Sequence, residues 1–136
     1  MKINFIAPAG MIGTSGYQNH CKGITNELGK MADVKLSCGL PPNWNLQVND
    51  LELNMITKQD DKDRINVILD LPYNYRLYTD KEINTAYFIW EGQNVPVSFI
   101  PEFKNPDIRM IFVPSEKVRQ AIKATTNDME IIKKIR

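Results

Sequence analysis

A chain of 136 residues makes one ordinary domain with room for one core. Apolar residues at 43 % and charged residues at 24 % match a folded globular protein, and a net charge of +1 gives no electrostatic reason to bind nucleic acid or an acidic membrane surface. The longest apolar runs, such as Ile65-Asn66-Val67-Ile68-Leu69, fall far short of a membrane span, and the opening run is too short for a signal peptide.

In chain order, Lys2–Ala7 reads as a buried strand. Gly10, Gly13 and Gly16 punctuate the loop after it. Tyr17, Cys21, Ile24 and Leu28 then recur at helical spacing, with Thr14 or Ser15 as the cap and Gly29 near the end. Val34–Cys38 is a second strand, and the Gly39–Asn45 segment is a loop by composition. Leu51–Ile56 reads as a short strand. Lys58–Arg64 carries six charges in seven residues and reads as a solvated connection, with Asp60 and Asp61 facing water. Ile65–Leu69 is the most β-rich run, followed by an aromatic loop from Pro72 to Tyr78. Thr85–Trp90 and Met110–Val113 are two further strands. Between them Pro96 starts a short helix lined by Val97, Ile100 and Phe103. Ser115 caps a helix with Val118 and Ile122 inside, and Asp128 caps a last piece with Met129, Ile132 and Ile135. Apolar strands joined by helix-length segments indicate a mostly parallel sheet with helices on both faces: one α/β, Rossmann-like domain of about five or six strands and four helices. The final residues, Ile132 to Arg136, read as an interior point of a longer structure.

Ligands of an open α/β sheet bind just beyond the carboxyl ends of its strands. The strand ending in Trp90-Glu91 and the strand ending in Pro114-Ser115 therefore put Glu91 and Ser115 on one rim. The loop between the first strand and first helix has the spacing G-x-x-G-x-x-G at Gly10, Gly13 and Gly16. Its amides and the helix dipole suit a phosphate, but it is neither the dinucleotide fingerprint nor a Walker loop; a tight turn is the plain alternative. His20 is the only histidine, and either a surface helix residue or an acid–base group in need of a partner. Asp70 at a strand end suits substrate hydroxyls or a turn cap. Tyr73, Tyr75 and Tyr78 around Arg76 suit a sugar or the edge of the sheet. Glu91 is a site carboxylate or a salt-bridged loop residue, and Ser115 is first of all a helix cap. Cys21 and Cys38 fit no metal spacing; one disulfide is open to them, but reduced, buried thiols of a cytoplasmic protein are preferred. Neither a metal nor a cofactor is expected, and no Gly-x-Ser-x-Gly elbow supports a serine triad.

Three stretches together resemble the N-terminal half of retaining glycosyltransferases of the GT-B fold, the group of glycogen synthase and sucrose synthase. They are the strand, glycine loop and helix from Lys2 to Leu28 with Gly16-Tyr17 at the helix start, the run Tyr87-Phe88-Ile89-Trp90-Glu91 with Pro96 after it, and Asp107 to Ser115. The likeness covers nearly the whole chain in order and spacing. It implies an acceptor-side domain that meets a nucleotide-sugar donor and a hydroxyl acceptor across a cleft, with the donor-binding half outside this chain and no transfer expected from the one half alone. Gly13 and Gly16 then map to the donor diphosphate, Asp70 and Glu91 to the catalytic region, and Tyr73, Tyr75 and His20 to the acceptor. Many relatives carry a histidine where this chain has Asp70. The location implied is cytoplasmic or membrane-peripheral. The competing reading is a stand-alone nucleotide- or sugar-phosphate-binding module, or a flavodoxin-like regulatory domain. An oxidoreductase is disfavoured by the missing G-x-G-x-x-G and by the lack of an acidic residue at a suitable distance after the first loop.

Overall fold

The structure is a computed structural model that describes residues 1–10, 13 and 15–136. Five strands, β1 (Lys2–Ala7), β2 (Asp33–Cys38), β3 (Ile65–Ile68), β4 (Asn84–Tyr87) and β5 (Ile108–Phe112), form one sheet in the order β2-β1-β3-β4-β5. Every pairing is parallel. The helices are α1 (Gly16–Met31), α2 (Asp50–Thr57), α3 (Ile100–Phe103), α4 (Glu116–Thr125) and α5 (Met129–Ile132), with 3₁₀ turns at Trp44–Leu46, Pro72–Tyr78 and Val97–Phe99. The chain is thus an α/β domain of Rossmann-like architecture, as its strand pattern predicts.

The sheet divides two cores. On one face Ile3, Phe5, Ala7, Val34, Leu36 and Leu69 pack with Cys21, Ile24 and Leu28 of α1 and Met55 of α2. On the other, Ile6, Ile68, Ala86, Phe88 and Ile111 pack with Tyr75, Phe99, Phe103, Val118, Ile122 and Ile131. α1 and α2 leave part of the first face uncovered. An apolar groove of about 390 Å³ runs there between Ile24 and Leu28 on one side and Val67, Tyr87, Met110 and Phe112 of the sheet.

A polar ladder crosses the second face. Asn4, Asn66 and Asn84 stand in register on β1, β3 and β4, all buried. Asn4 Nδ2 donates to Asn66 Oδ1 at 3.0 Å, and Asn66 Nδ2 donates to Asn84 Oδ1 at 2.9 Å. Asn66 Nδ2 also reaches the Tyr78 carbonyl and Asp80 Oδ1, each at 2.7 Å, so its two protons serve three acceptors. Ser37 Oγ donates to Asn4 Oδ1 at 2.8 Å, which brings β2 into the network.

The amino ends of the strands are tied by charge. Arg64, buried at the entry to β3, donates to the carbonyls of Ile3 and Asp33 at 3.1 and 3.0 Å and to Asp33 Oδ1 at 3.2 Å. Lys58 meets the same carboxylate at 2.7 Å.

Several elements differ from the sequence expectation. Leu51–Ile56 is helical, not a strand: Asn49 and Glu52 form a reciprocal capping box, with bonds of 2.7 and 2.9 Å, that starts α2. The connection at residues 58–64 is not merely solvated, because Asp60 pairs with Lys81 at 2.6 Å and Asp61 with Lys2 at 3.0 Å. The Pro72–Tyr78 segment is an ordered 3₁₀ turn, and β4 ends at Tyr87 rather than Trp90. After Pro96 it is Phe99, not Val97, that enters the core. Ser15 caps α1; Thr14 lies outside the described residues. Residues 134–136 lie parallel to the outer edge of β5, through Ile111 N to Lys134 O and Arg136 N to Ile111 O, both at 2.9 Å. Cys21 and Cys38 are not joined in a disulfide, and burial, with Cys38 as a lesser cause, pushes the Cys21 thiol up to about 12, which leaves it an unreactive core residue. No helix among the described residues is long and apolar enough to cross a membrane.

Replacing Asn66 by Val removes the acceptor of the buried Asn4 Nδ2 and the donor to the Tyr78 carbonyl, while Asn84 keeps its two bonds to Lys81 and the exposed Asp80 stays solvated. A loss of roughly 2–4 kcal/mol is expected in urea denaturation, since unpaired buried polar groups cost about 1–3 kcal/mol each; an unchanged midpoint would show the ladder to be dispensable. Asp33 is held below the usual carboxylate range by its hydrogen bond from Lys58 and then by Arg64. A carboxyl depressed on folding stabilises above its unfolded pKa, and that stability disappears as the pH falls through its folded value. Asp33→Asn should therefore be less stable than wild type at neutral pH, with the difference closing as pH drops below the carboxylate range; a constant difference at every pH would contradict the ion pairing.

Candidate functional site

Strand order reverses between β1, whose sequence neighbour β2 lies to one side, and β3, which lies to the other. Beyond the carboxyl ends at such a switch point the connecting loops part, and a crevice opens. Here a cleft of about 510 Å³ opens on this rim, lined by Gly16, Tyr17 and His20 from the start of α1, Leu71 after β3, and Ile89, Trp90, Glu91 and Gly92 after β4.

The start of α1 is built by its cap. Ser15 Oγ accepts from the Gln18 amide at 3.1 Å, and Gln18 Nε2 donates back to the Ala9 carbonyl at 3.1 Å, which closes the glycine loop onto the helix. The Gly16 and Tyr17 amides have no partner among the described residues, as the first N–H groups of a helix require. Gly10 and Gly13 have positive φ of 85° and 149°. A Cβ on Gly13 would stand 2.0 Å from Gln18 Oε1, so Gly13 is needed by the loop itself and does not line the cleft. At Gly16, by contrast, a Cβ would meet nothing within 4 Å and φ is not positive. Nothing among the described residues demands a glycine there, and Gly16 lines the cleft.

Glu91 is presented by a turn rather than by a strand end. Trp90 Nε1 donates to the Asn94 carbonyl at 2.7 Å, and the indole stacks on Phe88 with centroids 6.1 Å apart and meets Phe99 edge-on at 5.4 Å. This anchored tryptophan fixes the next residue, Glu91, which is exposed and has no hydrogen bond or ion pair among the described residues. The salt-bridge alternative is therefore not what holds it.

His20 is half-buried, and its Nε2 lies 2.9 Å from the Tyr87 hydroxyl. The imidazole thus has the partner that its position in the sequence could not disclose. Burial pushes the Tyr87 phenol above its ordinary range.

Other candidates lie apart. Asp70 Oδ1 accepts from the Leu71 amide at 2.7 Å, so it caps the turn after β3. It does not line the cleft, although its charge reaches Tyr17, whose phenol is raised first by burial and then by Asp70. Tyr75 is not an acceptor contact as its loop suggests: its ring is fully buried against Phe103, and no ligand in the open cleft reaches it. Tyr73 is exposed but bonds Ser98 and sits edge-on to Phe99, also outside the cleft. Ser115 caps α4 at 3.3 Å from the Val118 amide and stays on the same edge of the sheet without entering the cleft. The pair Asp60 and Asp61 is engaged in ion pairs elsewhere. Of the predicted site residues, the fold brings together Gly16, His20 and Glu91. It adds Tyr17, Leu71, Ile89, Trp90 and Gly92, which the sequence reading passed over as site residues. No group of three or more metal-binding side chains occurs among the described residues.

No protein-family model, no curated protein and no solved structure matches this chain. The chemistry of the cleft is therefore argued from its own groups.

The Tyr75 hydroxyl is buried and has no hydrogen-bond partner in the structure. Tyr75→Phe removes an unpaired polar group without changing the ring, so stability should stay equal or rise by up to about 1 kcal/mol. A loss above about 1 kcal/mol in urea denaturation would mean that the hydroxyl is satisfied in solution.

Proposed function

We propose that this chain is the acceptor-side domain of a retaining glycosyltransferase, moving a sugar from a nucleotide diphosphate to a hydroxyl. The observation that carries the reading is the meeting of Gly16, His20 and Glu91 in one cleft beyond the carboxyl ends of a parallel sheet. Each group has a task in such a transfer. The Gly16 and Tyr17 amides, at the positive end of a 16-residue helix, suit the charge that develops on a departing diphosphate. The absence of a side chain at Gly16 allows phosphate oxygens to approach the backbone. His20 offers a ring nitrogen to a phosphate or sugar oxygen. The unpaired Glu91 carboxylate suits an acceptor hydroxyl, which it can orient as an acceptor of its proton in a hydrogen bond. Trp90 and Ile89 provide apolar surface against which the face of a sugar ring can rest.

The nucleotide itself needs an opposite wall, which in this reading belongs to a second domain or subunit. A single wall binds weakly. Titration of ¹⁵N-labelled protein with uridine diphosphate glucose and guanosine diphosphate mannose should give shifts at Gly16, Tyr17, His20 and Gly92, with a dissociation constant in the millimolar range for at least one donor, or about −4 kcal/mol. Micromolar binding of a bare nucleotide would favour the stand-alone binding module, and no shift at these residues with any donor would reject the glycosyl-transfer reading.

Gly16→Ala separates ligand binding from folding. Because a methyl group there meets nothing among the described residues, the unfolding free energy should stay within the scatter of ordinary surface changes, about ±0.5 kcal/mol. Donor affinity should fall by about tenfold or more. Unchanged affinity would remove the helix start from the diphosphate site.

A further inference from the structure

The cleft residues do not explain why His20 holds its orientation. Its Nε2 is 2.9 Å from the hydroxyl of Tyr87, the last residue of β4, and the rings are tilted by 41° with centroids 5.5 Å apart. They are not stacked, so the hydrogen bond sets their relation. A phenol is a good donor and a poor acceptor, because its lone pair is shared with the ring, whereas an unprotonated imidazole nitrogen is a strong acceptor. The favoured direction is O–H to Nε2.

We propose that Tyr87 is a positioning residue whose hydroxyl donates to His20 Nε2, fixes the neutral imidazole as its Nδ1–H tautomer, and so gives the cleft a hydrogen-bond donor suited to a phosphate or sugar oxygen. Free imidazole side chains prefer the opposite tautomer, with the proton on Nε2, so the fold reverses the ordinary preference. The geometry is supported from both sides. Tyr87 packs its ring beneath α1 within the first core, and His20 rides on α1, whose cap and Cys21 face hold it to the sheet. The ionisable groups that share the cleft with the imidazole are Tyr17 on the same helix and Glu91 on the turn after β4, with Asp70 acting on Tyr17. Among the described residues none of them is bonded to the ring, and Tyr87 is the group placed to select the tautomer. The tautomer rests on the contact and on the phenol's preference for donating; the task given to Nδ1–H rests on the glycosyl-transfer reading.

The chain has one histidine, so its imidazole gives a single set of signals without assignment by mutation. Long-range ¹H–¹⁵N correlation at about pH 8, above the ordinary imidazole range, reads the tautomer directly. The wild type should show a protonated Nδ1 and an unprotonated Nε2. Tyr87→Phe, which keeps the ring and removes only the hydroxyl, should move the tautomer ratio roughly fivefold toward Nε2–H, the worth of one net hydrogen bond. A wild-type ring protonated on Nε2, or a ratio unchanged in Tyr87→Phe, overturns the positioning role. Should Tyr87→Phe fail to fold, the wild-type spectrum alone decides. Adding uridine diphosphate glucose or guanosine diphosphate mannose should then shift the Nδ1 signal of the wild type. An Nδ1–H tautomer that no nucleotide sugar perturbs would overturn the ligand role of the ring, and with it the glycosyl-transfer reading, while leaving the hold of Tyr87 on the ring in place.

Discussion

Register is the constraint on which the rest depends, and the buried asparagines set it. Asn4, Asn66 and Asn84 face one another across β1, β3 and β4 only in the observed pairing. A slip by one residue would turn each amide to the opposite face of the sheet, into the core of Phe5, Leu36 and Cys21. Apolar strands alone tolerate such slips better, because Ile, Val and Leu are nearly exchangeable in a core. The amides are not exchangeable: paired, they specify one alignment, and unpaired, each costs on the order of a hydrogen bond or more. This alignment fixes how far β3 and β4 reach past the end of β1. It therefore decides that Leu71 and the Trp90-Glu91-Gly92 turn arrive level with the start of α1.

Three devices then finish the cleft. The Ser15–Gln18 capping box ends the glycine loop and exposes two helix amides. The Trp90 indole, bonded to Asn94 and wedged between Phe88 and Phe99, turns Glu91 outward. The Tyr87 hydroxyl, reaching from the last residue of β4 to α1, orients His20. Each device acts between a secondary-structure element and the one residue it presents, which is the arrangement that fixes a cleft residue in place. At the amino ends of the strands, Arg64 and its carbonyl partners do the corresponding tying at the edge away from the cleft.

The architecture was legible because parallel strands buried on both faces leave near-continuous apolar runs, as Ile3–Ala7 and Ile65–Leu69 do. The error at α2 has a definite cause. Leu51-Glu52-Leu53-Asn54-Met55 alternates apolar and polar residues with the period of a strand, yet Asn49 and Glu52 carry the capping signature of a helix start, and the cap prevailed. Glu52, polar by type, is buried because it also accepts from Asn26 at 2.8 Å. Gly16 and Glu91 were legible as residues of one rim from their places at a helix start and past a strand. The His20–Tyr87 bond spans 67 residues of chain and left no local mark. Tyr75 misled because a loop of tyrosines looks alike whether its rings face water or the core; the 3₁₀ turn from Pro72 to Tyr78 rotates Tyr75 inward and Tyr73 outward.

In the proposed function a nucleotide diphosphate meets this protein at the carboxyl edge of its sheet. A uridine diphosphate carrying a nitroxide on the terminal phosphate would broaden amide signals according to their distance from the bound phosphate. Gly16, Tyr17, His20, Leu71 and Gly92 should broaden first, while Val34, Ile65 and Ile108 at the amino edge stay sharp. Broadening centred on that amino edge, or on Ile24 and Met110 in the apolar groove, would contradict the account.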